Sequence, residues 1–179
     1  HKEKGNAHFA VGDIYLGKVK KVMTGLNAAF VDVGYEKDAF LHYLDLGPQA
    51  SSLMKYTKSV KDGKQTVSNL MYFKGEKDIK KEGKINEVVS SGQHVLVQVA
   101  KEPISQKGPR ITSEISLAGR YIVLIPFSEK ISVSQKIRNA EEKTRLKELI
   151  QKIKPKNFGV IVRTVADGKT VAEIENDMN

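Results

Sequence analysis

Residues 28–33 alternate between small aliphatic side chains and larger or polar ones, a pattern typical of a β-strand with two different faces. Phe30 lies on the face opposite the aliphatic side chains. A turn follows, and a second short strand at 39–41 repeats the alternation around Phe40. If the aliphatic face is the core side, both phenylalanines lie together on the outer face of a hairpin, with Lys37 beside them.

Two aromatic rings on a polar, basic face are what a platform for single-stranded nucleic acid needs. Bases stack on such rings for about 1–3 kcal/mol each, and a cation holds the phosphate backbone. The alternative is that Phe30 and Phe40 belong to the core, because most strand phenylalanines do. A slip of one residue in the strand register would turn both rings inward. The alternation by itself leaves both interpretations open.

The charge of the chain favours a polyanionic partner. The net charge is +9, from 30 Lys and Arg against 21 Asp and Glu. Nucleic acid is the first candidate and an anionic membrane a distant second, although many basic domains owe their charge to solubility alone. No apolar run approaches the roughly 18 residues that a membrane-spanning helix needs. We therefore expect a nucleic-acid partner and no membrane span.

Residue content also restricts the possible chemistry. The absence of cysteine excludes disulfides and zinc–thiolate sites from this segment and is compatible with a reducing cytoplasm, which is the expected location. The 4 histidines show no metal-ligand spacing, and no nucleophile triad or phosphate-binding glycine loop occurs. We expect no catalytic residue, cofactor or metal in this segment. The polar start shows no signal peptide, and His1 in place of Met suggests an excised piece of a longer chain.

The first part of the chain predicts a small barrel. Five strand-like runs are expected, at 12–23, 28–33, 38–42, 94–101 and 110–116. Five short strands with a long excursion between the third and the fourth fit an OB-type barrel, a fold that binds oligonucleotides on one face. We assign residues 12–118 to this domain and residues 1–11 to a lead-in. Gly108 is interpreted as an ordinary turn residue.

The excursion, residues 45–92, is interpreted as a lysine-rich insertion with partial order. Its lysines recur every third residue at Lys55, Lys58, Lys61 and Lys64, a spacing that favours neither a strand nor a sealed helical face. A short helix or hairpin is expected around 68–73. Individual lysines of the insertion are more simply explained as solvated charges than as phosphate ligands.

Residues 119–179 predict a small α+β unit. An apolar strand at 120–126 is expected to pair with a short strand at 130–133. Asn139 begins a capping box, and apolar residues at i, i+3, i+4 and i+7 from Leu146 predict an amphipathic helix. A third strand at 158–164 and the start of another helix at 170–178 complete the unit.

Arg163 and Thr164 end the third apolar strand of this unit. A guanidinium binds a terminal phosphate bidentately, and a neighbouring hydroxyl adds a donor. The alternative for this pair is an ordinary solvated loop entry. Gln135, Lys136 and Arg138 are also polar or basic, but a charged turn before a helix explains them equally well.

Five runs resemble the N-terminal part of the bacterial ribonuclease E/G family, and they occur in the order that the family shows. They are Ile14-Tyr15-Leu16-Gly17-Lys18-Val19, Ala28-Ala29-Phe30-Val31-Asp32-Val33-Gly34, Ala39-Phe40-Leu41, Ile115-Ser116-Leu117-Ala118-Gly119 and Val160-Ile161-Val162-Arg163-Thr164. The resemblance covers nearly the whole chain except the lysine-rich insertion.

The resemblance implies an S1-type OB barrel that binds single-stranded RNA, followed by a unit similar to the family's 5′ sensor, which recognises a 5′-monophosphate. The residues implied for RNA binding, together with neighbouring lysines, are Phe30, Lys37, Phe40, Lys101 and Lys107. Those implied for the 5′-phosphate site are Gly119, Val123, Arg163 and Thr164, and Lys136 is assigned to the same site. Where part of the family carries two arginines in the sensor, this chain has Gln135 and Lys136.

The resemblance further implies a parent enzyme, a metal-dependent endoribonuclease of RNA processing and decay. Its catalytic Mg²⁺ and structural Zn²⁺ would lie downstream of this segment, which should be inactive alone, and the parent would be a homo-oligomer. Residues 1–11 would be a remnant of an RNase H-like domain. The alternative is a stand-alone S1-type RNA-binding or RNA-chaperone module without an enzymatic parent.

Overall fold

The computed structural model describes residues 9–63 and 74–178. The chain divides into two compact units, and the division between their described residues falls between Ile115 and Ser116. Most of the predicted lead-in, residues 1–8, lies outside the described part. Phe9 packs on the first unit, with its ring centroid 4.8 Å from that of Tyr15 and 4.9 Å from that of Tyr35.

The first unit is the closed five-stranded barrel that the sequence predicts. Its strands lie in the order β1-β2-β3-β5-β4. They are β1 (Ile14–Met23), β2 (Ala28–Asp32), β3 (Ala39–His42), β4 (His94–Lys101) and β5 (Arg110–Thr112). The fifth strand is shorter than predicted because the chain turns at Ser113, whose backbone N–H donates to the Asp45 carbonyl at 2.9 Å.

The register of the β2–β3 hairpin decides which way the phenylalanines face. Ala29 lies opposite Leu41 and Val31 opposite Ala39, and all four side chains are completely buried. Phe30 therefore lies opposite Phe40 on the other face. The interpretation with an aliphatic core side is confirmed, and the one that places both rings in the core is wrong.

The insertion contains a helix that the sequence analysis missed, α1 (Ala50–Lys61). Its inner face is Ala50, Leu53 and Thr57, which are buried at i, i+3 and i+7. Lysines three residues apart drift by only about 60° per step around a helix, so Lys55, Lys58 and Lys61 share one exposed side. The interpretation of their spacing as non-helical was wrong. The helix or hairpin predicted at 68–73 lies outside the described residues.

The second unit is a four-stranded sheet in the order β6-β7-β9-β8 with two helices. Its elements are β6 (Leu117–Ala118), β7 (Ile122–Pro126), β8 (Ile131–Val133), α2 (Ala140–Ile153), β9 (Phe158–Val162) and α3 (Val171–Met178). The predicted pairing of the 130–133 strand with the first apolar strand was wrong, because β8 pairs in parallel with β9. Helix α2 connects β8 and β9, and a helical crossover of this kind is what joins parallel strands.

Helix α2 begins at the predicted Asn139 cap, although the Glu142 carboxylate binds Arg145 and Gly168 and does not complete the predicted capping box. The Asn139 side chain accepts a hydrogen bond from the Glu142 backbone N–H at 3.0 Å, which satisfies one of the unpaired donors at the helix start. Leu146 and Ile150 lie completely buried on the inner face of the helix. Among the described residues, no helix is both long and apolar enough to cross a membrane.

Candidate functional site

A surface cavity of about 770 Å³ lies beside the two phenylalanines of the barrel. It brings together all five residues for which RNA binding was predicted, namely Phe30, Lys37, Phe40, Lys101 and Lys107. These residues come from strands β2, β3 and β4, from the β2–β3 turn and from the segment between β4 and β5. The barrel therefore gathers side chains more than 70 positions apart in the chain at one place.

The rings of Phe30 and Phe40 form an edge-to-face pair, with centroids 5.7 Å apart and planes at 65°. Both side chains are only half buried. The pairing holds the two rings in place and leaves part of their surface to a ligand. Such preorganised, exposed aromatic surface is suited to stacking on a flat, apolar group.

Cations flank this ring pair on both sides. Lys21 of β1 lies opposite Phe30, and Arg110 of β5 lies opposite Phe40. Sequence reasoning missed both residues. Lys21 was hidden by the β-bulge between Val19 and Lys21, which breaks the alternation of β1 and is not marked by any local sequence signal.

The loop that carries Lys107 is seated on the β2–β3 turn by Gly108. A Cβ at Gly108 would clash with the Asp38 carbonyl oxygen and lie 2.8 Å from that of Lys37. Its backbone φ is not positive, so the interpretation as an ordinary turn residue was wrong. The position needs glycine for close backbone approach, which brings Lys107 to the cavity beside Lys37.

The lysines of the cavity keep their side chains exposed to solvent, whereas its arginine is already paired. The Arg110 guanidinium binds the Asp45 carboxylate in a bidentate fashion, at 3.0 and 3.3 Å. Asp38 and Glu102 also line the cavity. Lys37, Lys101 and Lys107 therefore outnumber the carboxylates that lack this pairing, and the cavity favours an anion.

The residues of the predicted phosphate site lie around the end of β9. Arg163 donates from Nη1 to the Gly119 carbonyl at 2.9 Å, and the hydroxyl of Thr164 lies 2.8 Å from that of Ser134. The Lys136 backbone N–H donates to the same Ser134 oxygen at 3.3 Å. Val123 lies on β7 opposite Ile161, two residues before Arg163. Ser134, which joins two of the predicted residues, was missed.

A cavity of about 590 Å³ adjoins Arg163, but none of the other four predicted residues lines it. Its other cations are Arg120 and Lys169, which lie 5.3 and 5.7 Å from the centroid of the Tyr121 ring. Asp167 lines the cavity as well. Arg120 and Lys169 flank the ends of β7 and β9, and their sequence neighbourhoods gave no reason to select them.

The turn at Gly119 is fixed by a carboxylate from the far end of the chain. Asp177 accepts hydrogen bonds from the backbone N–H groups of Arg120, Tyr121 and Ile122, at 2.9, 2.8 and 3.1 Å. Burial raises the pKa of Asp177, but these backbone donors outweigh burial and leave the pKa below its ordinary value. A Cβ at position 119 would lie 2.5 Å from the carboxylate, so a side chain there would push Asp177 away from these hydrogen bonds.

Glu142 fastens the loop after β9 to helix α2. Its carboxylate accepts two hydrogen bonds from Arg145, both at 2.7 Å, and one from the Gly168 backbone N–H at 2.6 Å. The Arg145 side chain, with help from the Gly168 N–H, lowers the pKa of Glu142 to about 2. The loop so fastened begins at Arg163.

Replacing Glu142 by Gln should flatten the acid dependence of folding. The folded-state pKa of about 2 lies below the ordinary value of 4.5, so the ionised carboxylate stabilises the fold above pH 4.5, and that stability is lost as the pH falls towards 2. Chemical denaturation at pH 7, 4.5 and 3 measures the free energy of unfolding. An equally steep loss in Glu142→Gln and the original chain would contradict this role.

The described part of the chain was also compared with the geometry of protein metal sites. Residues 9–63 and 74–178 contain no group of three His, Asp or Glu side chains placed to hold an ion. The residues of these ranges do not fit the Mg²⁺ or Zn²⁺ implied for the family.

Comparison with known proteins finds a family model that matches part of the chain and relatives that match nearly all of it. Residues 116–179 match the model of the ribonuclease E/G family. The chain is 36% identical over 177 residues to ribonuclease G of Escherichia coli and 38% identical over 172 residues to ribonuclease E of a Nostoc species. These matches cover 99% and 96% of the chain.

A third relative, a ribonuclease E/G-like protein of Porphyra purpurea, is 42% identical over 164 residues, or 91% of the chain. The chain spans only 32%, 21% and 27% of the E. coli, Nostoc and Porphyra proteins. The similarity nevertheless extends through both units and is supported by a family model and by several relatives. The chain belongs to the ribonuclease E/G family.

Proposed function

We propose that the barrel binds single-stranded RNA across Phe30 and Phe40. The observation that carries this proposal is the cavity that joins the half-buried ring pair to Lys37, Lys101 and Lys107. Bases stack on the rings, while the lysine ammonium groups pair with the phosphates between them. The flexible lysine side chains follow a backbone of any sequence, so this surface selects single strands by their accessible bases.

We further propose that the second unit binds a 5′-monophosphate through Arg163 and Thr164. The guanidinium uses one N–H on the Gly119 carbonyl, and its remaining donors serve the phosphate. The hydroxyl pair of Thr164 and Ser134 supplies a further donor, and Lys136 adds positive charge nearby. Gly119 and Val123 would adjoin the terminal nucleotide.

The relatives are named ribonucleases, which supports a ribonuclease as the parent protein. We propose that the parent is a metal-dependent endoribonuclease of the cytoplasm that acts in rRNA processing and mRNA decay, and that this chain is its RNA-binding region. Catalytic Mg²⁺, structural Zn²⁺ and homo-oligomer contacts would belong to segments beyond this chain. The 179-residue chain should bind RNA without cleaving it.

Binding of a fluorescent single-stranded RNA decamer and of the corresponding duplex tests the first proposal. The single strand should bind more tightly, because duplex bases are not accessible to the rings. With three lysines engaged, the logarithm of the association constant should fall with a slope of about −2 against the logarithm of salt concentration. Equal affinity for both RNAs, or affinity independent of salt, would contradict it.

A further inference from the structure

A third ring continues the Phe30–Phe40 pair along the barrel. His42 follows Phe40 by two residues on β3, so both side chains lie on the same face of the strand. Their ring centroids are 6.4 Å apart, with planes at 43°. The residue opposite His42 on β2 is Ala28, which contributes only a methyl group. The outer face of the hairpin therefore carries three consecutive rings.

The His42 ring is held in a fixed orientation. Its Nδ1 accepts a hydrogen bond from the Leu44 backbone N–H at 3.0 Å. In the neutral ring this bond places the proton on Nε2, which becomes a donor. The side chain is half buried. A ring fixed in advance loses little conformational freedom when a base stacks on it.

Beyond His42 the surface carries lysines and carboxylates in equal number. His42 lines a second cavity, of about 710 Å³, together with Lys80, Lys81 and Lys84. Three carboxylates, those of Asp78, Glu82 and Glu87, line this cavity as well. His42 thus adjoins Phe40 on one side and a charged cavity on the other, so a strand leaving Phe40 along β3 passes over it.

We propose that His42 is a third stacking platform, which extends the RNA-binding surface by one nucleotide from Phe40 towards residues 78–88. This inference rests on the proposed binding of single-stranded RNA at Phe30 and Phe40. Nε2–H supplies a hydrogen-bond donor to the nucleotide that stacks there. His42 is then a binding residue in addition to those predicted from the sequence.

Two substitutions distinguish RNA binding by the His42 ring from the structural role of His42 at the start of the 43–45 turn. In His42→Asn the amide oxygen can accept the Leu44 N–H bond as an Asx turn does, but the ring is lost. In His42→Phe the ring is kept and the hydrogen bond is lost. Affinity for a single-stranded RNA decamer and resistance to chemical denaturation are measured for both variants and for Phe40→Ala.

We expect His42→Asn to weaken RNA binding about 5- to 150-fold, the factor that loss of one stacking ring gives. His42→Phe should keep the affinity within about threefold while it unfolds at lower denaturant concentration. Original affinity in His42→Asn, with Phe40→Ala weakened, would overturn the role of His42 and leave the proposed function standing. If His42→Asn and Phe40→Ala both keep the original affinity, the role of His42 and the proposed RNA binding at Phe30 and Phe40 are overturned together.

Discussion

Replacing Phe30 and Phe40 together by alanine is expected to weaken binding of single-stranded RNA by about 2–6 kcal/mol. Each ring provides a stacking surface worth about 1–3 kcal/mol per base, and the two rings form one edge-to-face pair 5.7 Å apart. The loss corresponds to an increase in the dissociation constant of about 30-fold to 20,000-fold. Fluorescence anisotropy with a labelled decamer measures it.

The control for this experiment is Leu16→Ala. Leu16 is an exposed apolar residue of the same barrel, 51% accessible, and does not line the cavity beside the rings. Its replacement should leave RNA affinity within about twofold. Circular dichroism shows whether each variant keeps its fold. A folded double variant with the original affinity would remove the two phenylalanines from RNA binding.

Arg163→Ala should abolish the preference for RNA with a 5′-monophosphate over the same RNA with a 5′-hydroxyl. A charge-assisted hydrogen bond from a guanidinium contributes about 1.5–3 kcal/mol, so the preference should fall by about 10- to 150-fold. Affinity for the 5′-hydroxyl RNA should not change, because that RNA lacks the group that Arg163 binds. Competition between the two oligonucleotides measures the preference directly.

Arg138→Ala is the matched control, since it removes the same charge from an exposed position in the same unit. It should retain the preference for the phosphorylated end. If the original chain binds both oligonucleotides equally, Arg163 and Thr164 have no sensor role in this chain. An equal loss of preference in both variants would point to general electrostatic attraction and against a specific site.

The two-faced alternation of the hairpin was visible in the sequence because it is a local pattern, but the alternation alone left open which face is buried. Small aliphatic residues alternate with Phe30 and Phe40, and only one register buries Ala29 and Val31. Helix α1 was missed because the prediction relied on the spacing of its lysines. The helical period is carried by the buried residues Ala50, Leu53 and Thr57. The period of the buried residues, and not that of the charged ones, decides secondary structure.

The parts of the sites that sequence reasoning missed depend on contacts between distant segments. Asp177 fixes the turn at Gly119 across 57 residues, and Gly108 rests on the β2–β3 turn about 70 residues earlier. Lys21 joins the ring surface only because a bulge shifts the register of β1. Such contacts depend on how the strands assemble into the barrel and the sheet. A local sequence pattern does not predict that assembly.

The central claim is that single-stranded RNA lies on the ring surface of the barrel. Titration of the isotope-labelled chain with a single-stranded RNA decamer, followed by NMR, tests it most directly. The largest shifts should occur in the amide signals of Phe30, Phe40 and Lys107 and in their ring or side-chain signals. Shifts centred instead on Lys55, Lys58 and Lys61 of helix α1, with the ring signals unchanged, would contradict it.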